Sequence, residues 1–272
     1  VSIFWTILLI LSGFLILGLF VGAGYGRSRP QDPLGPFNGL VYLLGRWYAQ
    51  TVHQLRVKYD PGALDDLSGP LIVVCNHTAG VDPILVSLSL PTRVRWIMAD
   101  DMRVPWLNWF WNWHGVIFIA RNRHGRTGLR SARKHLHNKG VIGIFPEGRI
   151  ERPAQRLLPF APGVGVLVKR TGARVLPVVI DGTPQADTAW NAIWTSSNAV
   201  VHYHTPIDYS ESELSAAEIA EDIQRRFQDW TGWPMGSKQS RAKRAAPVIQ
   251  SEHTIERTAI NPKDSKLARR MA

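Results

Sequence analysis

Apolar and polar positions follow three different rhythms along the 272 residues of this chain. The first is continuous. Residues 3–23, "IFWTILLILSGFLILGLFVGA", carry no charge over 21 positions. A helix of about 20 apolar residues crosses a hydrocarbon core. Arg27 and Arg29 follow at once, and the positive-inside tendency then places the rest of the chain in the cytoplasm. A signal peptide cleaved after Ala23 is the competing reading. The run lacks a basic leading segment and exceeds the usual signal core, which favours an uncleaved anchor.

The second rhythm is helical. After a linker at 30–36, apolar residues recur at Phe37, Leu40, Val41, Leu44, Tyr48 and Val52, close to the 3.6-residue period. This predicts an amphipathic helix, facing either a core or a bilayer surface.

The third rhythm begins at Leu71. Short apolar runs at 71–75, 94–98, 116–119, 141–145, 175–180 and 199–203 alternate with helix-like segments at 83–90, 105–113, 127–138 and 161–171. A last helix covers 212–230, with Ser210 or Ser212 as its cap. The alternation predicts an α/β fold: a mixed, largely buried sheet flanked by helices and preceded by a transmembrane helix. Pro177 marks its run as an edge strand or a local bulge. The pattern ends near residue 235, and residues 235–272 hold nine Lys or Arg against three acidic residues, which reads as a disordered basic tail. The organisation is thus an anchor at 1–29, a linker and amphipathic helix at 30–70, an α/β domain at 71–234 and the tail.

Composition narrows the partners. A formal net charge of +11 favours anionic partners. Eleven tryptophans shift that preference from nucleic acid toward membrane, since indoles concentrate where an apolar phase meets water. Nucleic acid is further disfavoured because the cationic stretch from Arg121 to Lys139 lacks interleaved aromatics. The single cysteine, Cys75, rules out an intramolecular disulfide and any cysteine-rich metal centre.

The chemistry gathers where apolar runs stop. His77 and Asp82 follow the run ending at Cys75. A histidine is the usual general base near neutral pH, and a carboxylate fixes its tautomer. Asp82-Pro83 also reads as a helix start, with Asp82 as N-cap, so Asp82 either caps or pairs. No serine or cysteine nucleophile stands out, which leaves the base to activate a hydroxyl or water brought by a substrate. One His and one Asp do not make a metal-ligand set, and no metal is expected. In "GVIFIAR" a run ends in Arg121, whose guanidinium suits phosphate. In "FPEGR", Pro146 stops the strand and Gly148 permits an unusual dihedral. Glu147 then sits in a tight turn, either solvent-facing, accepting a hydrogen bond from substrate, or orienting an arginine. Arg149 and Arg152 add charge beside it.

In this order Asn76-His77…Asp82, Gly115…Phe118-Ile119-Ala120-Arg121, Phe145-Pro146-Glu147-Gly148 and Val175…Pro177-Val178…Gly182-Thr183 resemble the glycerolipid acyltransferases, the family that includes 1-acylglycerol-3-phosphate acyltransferases. The resemblance covers roughly residues 71–203. It implies a membrane-bound enzyme moving a fatty acyl group from a thioester donor to the free hydroxyl of a lysophospholipid, giving phosphatidic acid. By that resemblance His77 takes the hydroxyl proton, Asp82 orients His77, Arg121 holds the acceptor phosphate, and Glu147 and Gly148 shape the acceptor site. No cofactor is implied; acyl-CoA or acyl-carrier protein serves as donor substrate. The implied location is the cell inner membrane or another cytoplasm-facing membrane, crossed once, with the catalytic domain in the cytoplasm.

Two departures bear on the acceptor. The family often continues F-P-E-G with Thr-Arg-Ser, where this chain has Arg149, Ile150 and Glu151, so Arg149 or Arg152 would have to serve for the usual arginine. Asp100 and Asp101 stand where the family often has a lysine. Another acceptor (glycerol-3-phosphate, another lysophospholipid or a lyso-aminolipid) therefore stays open, as does a non-catalytic anionic-lipid-binding role. The segment "PWLNWFWNWHG", 105–115, reads equally as a packed helix or as an interfacial rim.

Overall fold

The computed structural model describes residues 3–27, 35–120, 126–150 and 153–236. The basic tail beyond Gly236, Arg121 and Arg152 lie outside the described residues.

Helix α1 (Ile3–Arg27) takes up the uncharged run. Its stretch Trp5–Arg27 is long and apolar enough to cross a membrane, and Phe14, Leu17 and Phe20 remain exposed on it. Helix α2 (Pro36–Val52) starts on a proline, which is suited to the first helical turn. It packs on α1 at two glycines: a β-carbon at Gly39 would lie 1.9 Å from the Gly22 carbonyl oxygen. α2 therefore faces protein through Gly39, Tyr42 and Ala49 while Phe37, Leu44 and Trp47 stay exposed.

The remaining elements form one sheet between two helical layers. Its strands are β1 (Arg56–Tyr59), β2 (Leu71–Cys75), β3 (Arg95–Ala99), β4 (Ile117–Ile119), β5 (Val141–Ile144), β6 (Arg174–Asp181) and β7 (Val200–Tyr203). Their order is β1-β7-β6-β2-β5-β3-β4. The expected α/β architecture is present. The sheet starts earlier than the sequence pattern suggested, because β1 precedes residue 71 and pairs with β7. "RVKY" is short and mostly exposed, so it carried no apolar run to read.

Every residue of β2 is buried. Leu71, Val73 and Cys75 enter one core, while Ile72 and Val74 enter the other, as the two-residue strand period requires. The first core receives α3 (Asp82–Ser89). The second receives α5 (Arg126–His137), α6 (Gly163–Thr171) and α8 (Ala216–Thr231). Fully burying one such Val, Leu or Ile side chain contributes roughly 1.5–3 kcal/mol.

Pro177 is in the sheet interior, between β2 and β7. Its missing N–H is accommodated by an irregularity in the neighbour. Val178 pairs with Tyr203 and Val175 with Ile207, so residues 204–206 stand opposite only 176 and 177. The bulge is thus on the partner segment. The cap of α8 also differs from expectation: Ser215 and Glu218 form a reciprocal capping box, three residues beyond Ser212.

Candidate active site

Strands β6, β2, β5, β3 and β4 run parallel to one another, whereas β7 is antiparallel to β6. Their carboxyl ends therefore share one edge of the sheet, where open α/β sheets bind ligands. The loops after β2, β5 and β6 carry three of the four sequence motifs to that edge.

Asn76 ends β2 in a specific way. Its side-chain amide donates to the Ile180 carbonyl at 2.8 Å and its oxygen accepts the Ile180 N–H at 2.8 Å. The side chain thus replaces the next ladder rung with β6, and the backbone is released to turn at His77. In that turn Asp82 Oδ2 accepts from His77 Nδ1 at 2.9 Å, from the Thr78 N–H at 2.7 Å and from the Ala79 N–H at 2.8 Å. Asp82 is fully buried, and the His77 side chain retains 17% exposure. The N-cap expectation for Asp82 is corrected here. Val81 occupies the cap position without a side-chain cap bond, and Asp82 is the first residue of α3. Its carboxylate turns back to the preceding loop, because three donors converge there.

An ionised Asp82 accepts from Nδ1–H, which leaves Nε2 of His77 as the basic nitrogen. The plane of the ring is set by stacking. Phe145 lies 4.1 Å from His77 at 21°, and Trp96 lies 5.0 Å from Phe145 at 14°. Trp96 Nε1 donates to Ser87 Oγ at 2.8 Å. Gly143 makes room for the stack, since a β-carbon there would meet Trp96 at 2.4 Å. Phe145, Trp96 and Gly143 were not singled out from sequence as site residues. Their only signals were a motif phenylalanine read as a strand end and a glycine inside an apolar run.

Glu147 is buried, and each of its oxygens accepts a backbone N–H: Oε1 from His77 at 2.8 Å, Oε2 from Leu158 at 2.9 Å. This carboxylate ties the β2 and β5 turns together. Gly148 has φ +71°, with its N–H donating to the Phe145 carbonyl at 3.0 Å, so the tight turn needs a residue that tolerates the left-handed region. Arg149 is half-buried in the same turn. Thr78 Oγ1 and Thr183 Oγ1 are 2.6 Å apart, which brings the fourth motif to the His77 turn. Gly80 lies against the backbone of Ala189, 2.2 Å from its carbonyl oxygen for an added β-carbon. Strand β4, which leads to Arg121, ends at the same edge three strands from β2, roughly 14 Å at ordinary strand spacing. Cys75 is fully buried, and burial pushes its thiol well up, with the Asp82 charge adding to the effect. No thiolate is available beside His77.

The arrangement is an imidazole with one nitrogen oriented by a carboxylate and the other available, with no activated nucleophile beside it among the described residues. A model of the family described as Acyltransferase matches residues 50–181, a span that contains His77, Asp82 and Glu147. The matched span belongs to the acyltransferase family. The chain is 23% identical over 169 residues to a 1-acyl-sn-glycerol-3-phosphate acyltransferase of Saccharomyces cerevisiae, covering 59% of this chain and 55% of that protein. A Helicobacter pylori protein of the same name is 24% identical over 116 residues, covering 42% and 49%. The chain spans about half the length of those curated relatives. Its fold is shared with the 1-acyl-sn-glycerophosphate (LPA) acyltransferase PlsC of Thermotoga maritima, with a TM-score of 0.58, 20% identity, and coverage of 82% of this chain and 88% of that one.

An apolar surface borders the His77 site. The segment 105–115 forms a short 3-10 turn and helix α4 (Asn108–His114), neither with a buried residue. The packed-helix reading of that segment is therefore set aside; Trp106 and Trp109 are 75% and 65% exposed. Trp113 lies near Phe37 of α2, and Trp111 near Trp190. Tyr48 of α2 donates to the Ile193 carbonyl at 2.5 Å, in α7 (Asn191–Trp194).

Proposed function

We propose that this protein is a membrane-bound O-acyltransferase that transfers a fatty acyl group from a thioester donor to the free hydroxyl of 1-acyl-sn-glycerol-3-phosphate, giving phosphatidic acid. The observation that carries the reading is the His77–Asp82 pair at 2.9 Å, with the ring aligned on Phe145. In the reaction His77 Nε2 takes the hydroxyl proton as the acceptor oxygen bonds to the thioester carbonyl carbon. Asp82 stabilises the imidazolium. The tetrahedral adduct collapses, the carbon–sulfur bond breaks, and the leaving sulfur takes the proton from His77 to depart as the thiol, which restores the base. No acyl-enzyme forms, in keeping with the raised thiol of Cys75.

In this reading Arg121 binds the acceptor phosphate, with Arg149 as an added cation. Helix α1 anchors the chain, and the exposed tryptophans Trp106, Trp109 and Trp194 sit at the bilayer boundary, a site for amphipathic indoles. The sequence departures at Arg149, Ile150, Glu151, Asp100 and Asp101 favour a second reading: the same chemistry on another lysophospholipid, on glycerol-3-phosphate or on a lyso-aminolipid. The test is thiol release from acyl-CoA and from acyl-carrier protein across a panel of these acceptors, for the wild-type chain and His77→Ala. Turnover lost with His77 supports acyl transfer, and the acceptor with the highest kcat/KM selects between the two readings. Lipid binding without thiol release on any acceptor would overturn both.

A further inference from the structure

On the other face of the sheet, away from the His77 stack, three metal-ligating side chains converge. Asp60 follows β1; His202 lies in β7 and His204 just beyond it. Val201 and Tyr203 enter the core that also holds Cys75. His202 and His204 alternate with them and so face the α8 side. The ladder fixes the third residue, since the Asp60 N–H donates to the Tyr203 carbonyl at 2.9 Å. His202 Nε2 is 2.9 Å from Asp60 Oδ1, and His204 Nδ1 is 2.9 Å from Asp60 Oδ2. The ligand atoms of all three residues lie within 4.8 Å of one another.

We propose that Asp60, His202 and His204 form a binding site for one divalent transition-metal ion of the zinc class. Bonds of about 2.0–2.2 Å in a tetrahedral site place ligand atoms roughly 3.3–3.5 Å apart. The two carboxylate–imidazole separations need to open by about half an ångström, and the two imidazole nitrogens, within 4.8 Å of each other, need to take the same spacing. Two imidazoles and one carboxylate are ligands that suit zinc, and water completes the fourth position. Room for that water exists on the outer side: the Asp60 and His202 side chains are 33% and 32% exposed, whereas that of His204 is 5% exposed. The His204 ring is held in place by Trp230 of α8, stacked at 3.8 Å and 5°.

The other nitrogen of His204, Nε2, is buried and has no hydrogen-bond partner. A metal on Nδ1 leaves the proton on Nε2 without an acceptor. Absence of such an outer partner typically lowers affinity about 10–100-fold, so the site is not built for the tightest binding. A bound ion would join edge strand β1 to β7 at a point held by α8, which makes its role structural and independent of the acyl-transfer reading.

The test uses the full chain in detergent, stripped with a chelator and titrated with Zn2+ alone. The expected result is saturable binding of one equivalent, a rise in Tm on binding, and at least tenfold weaker binding in both His202→Ala and Asp60→Asn. His135→Gln, remote from the cluster, keeps wild-type affinity. Cobalt substitution of the wild type gives the visible bands of a tetrahedral centre, a readout that needs no variant. Absence of a saturable equivalent overturns the proposal. So does one equivalent that survives in both His202→Ala and Asp60→Asn, which would assign it to other histidines. A cobalt spectrum of a fully hydrated octahedral ion does the same, and leaves only a carboxylate–imidazole clasp.

Discussion

The imidazole of His77 lies flat on the ring of Phe145, with 4.1 Å between centroids. The ring is therefore oriented twice: Asp82 holds one nitrogen, and Phe145 fixes where the other points. An aromatic contact of this kind contributes about 0.5–1.5 kcal/mol beyond area burial. Phe145→Leu should leave the His77–Asp82 bond in place and lower kcat by roughly two- to tenfold, with little change in KM. Wild-type kcat in that variant would remove the stack from the mechanism.

Gly143→Ala probes the same alignment from below. Its methyl group would press on Trp96, and overpacking of this kind costs about 1–3 kcal/mol. The expected outcome is a lower Tm together with a fall in kcat, because Trp96 displaces Phe145. A Tm loss with unchanged kcat would show that the site tolerates movement of Trp96.

Asp82→Asn keeps the size of the side chain but removes the charge that stabilises an imidazolium. An amide can also present its NH2 to Nδ1 and favour the wrong tautomer. A fall in kcat of about 10³–10⁴ is expected by analogy with carboxylate loss in catalytic triads, measured as thiol release. A loss below tenfold would count against proton transfer through His77.

Glu147→Gln separates positioning from substrate contact. Only one amide oxygen remains for the His77 and Leu158 N–H groups, and a buried donor left unsatisfied costs about 1–3 kcal/mol. Tm and kcat should fall together while KM for the acceptor holds. A rise in KM with unchanged Tm would instead place Glu147 against the acceptor.

Acid should weaken the fold through histidines wholly or partly withdrawn from water. Burial lowers His53 and His135, and burial with Arg93 nearby lowers His114 to about 4. Each folded value lies below the unfolded one of about 6.5. As pH falls through that value the unfolded chain binds protons that the folded chain refuses, so stability declines. For His114 the decline continues toward pH 4. Tm should drop between pH 7.5 and 5, and His114→Gln should flatten part of that slope. Carboxylates such as Asp222, where bonds from Arg226 and Tyr209 outweigh burial, act below about pH 4 and do not account for it. An identical slope in wild type and variant would exclude His114 as a contributor.

The sequence by itself determined the apolar helix, the β/α alternation and the motif positions, because these depend on local period and on residues such as Pro146 and Gly148 whose backbone limits are intrinsic. For Asp82 it offered capping or pairing, and the tertiary structure selected pairing; for Glu147 it offered a solvent, substrate or arginine contact, whereas the fold buries the carboxylate against two backbone N–H groups. A carboxylate bonds to whichever donors the fold brings within 3 Å, and those of Glu147 come from His77 and from Leu158, 70 and 11 residues away. Strand β1 was too short and exposed to announce itself; its place exists only through pairing with β7. The stack from Trp96 through Phe145 to His77 joins three loops or strands distant in sequence, and no local pattern encodes that contact. What a residue can do was legible from its chemistry; which of those things it does was decided by its neighbours across the sheet.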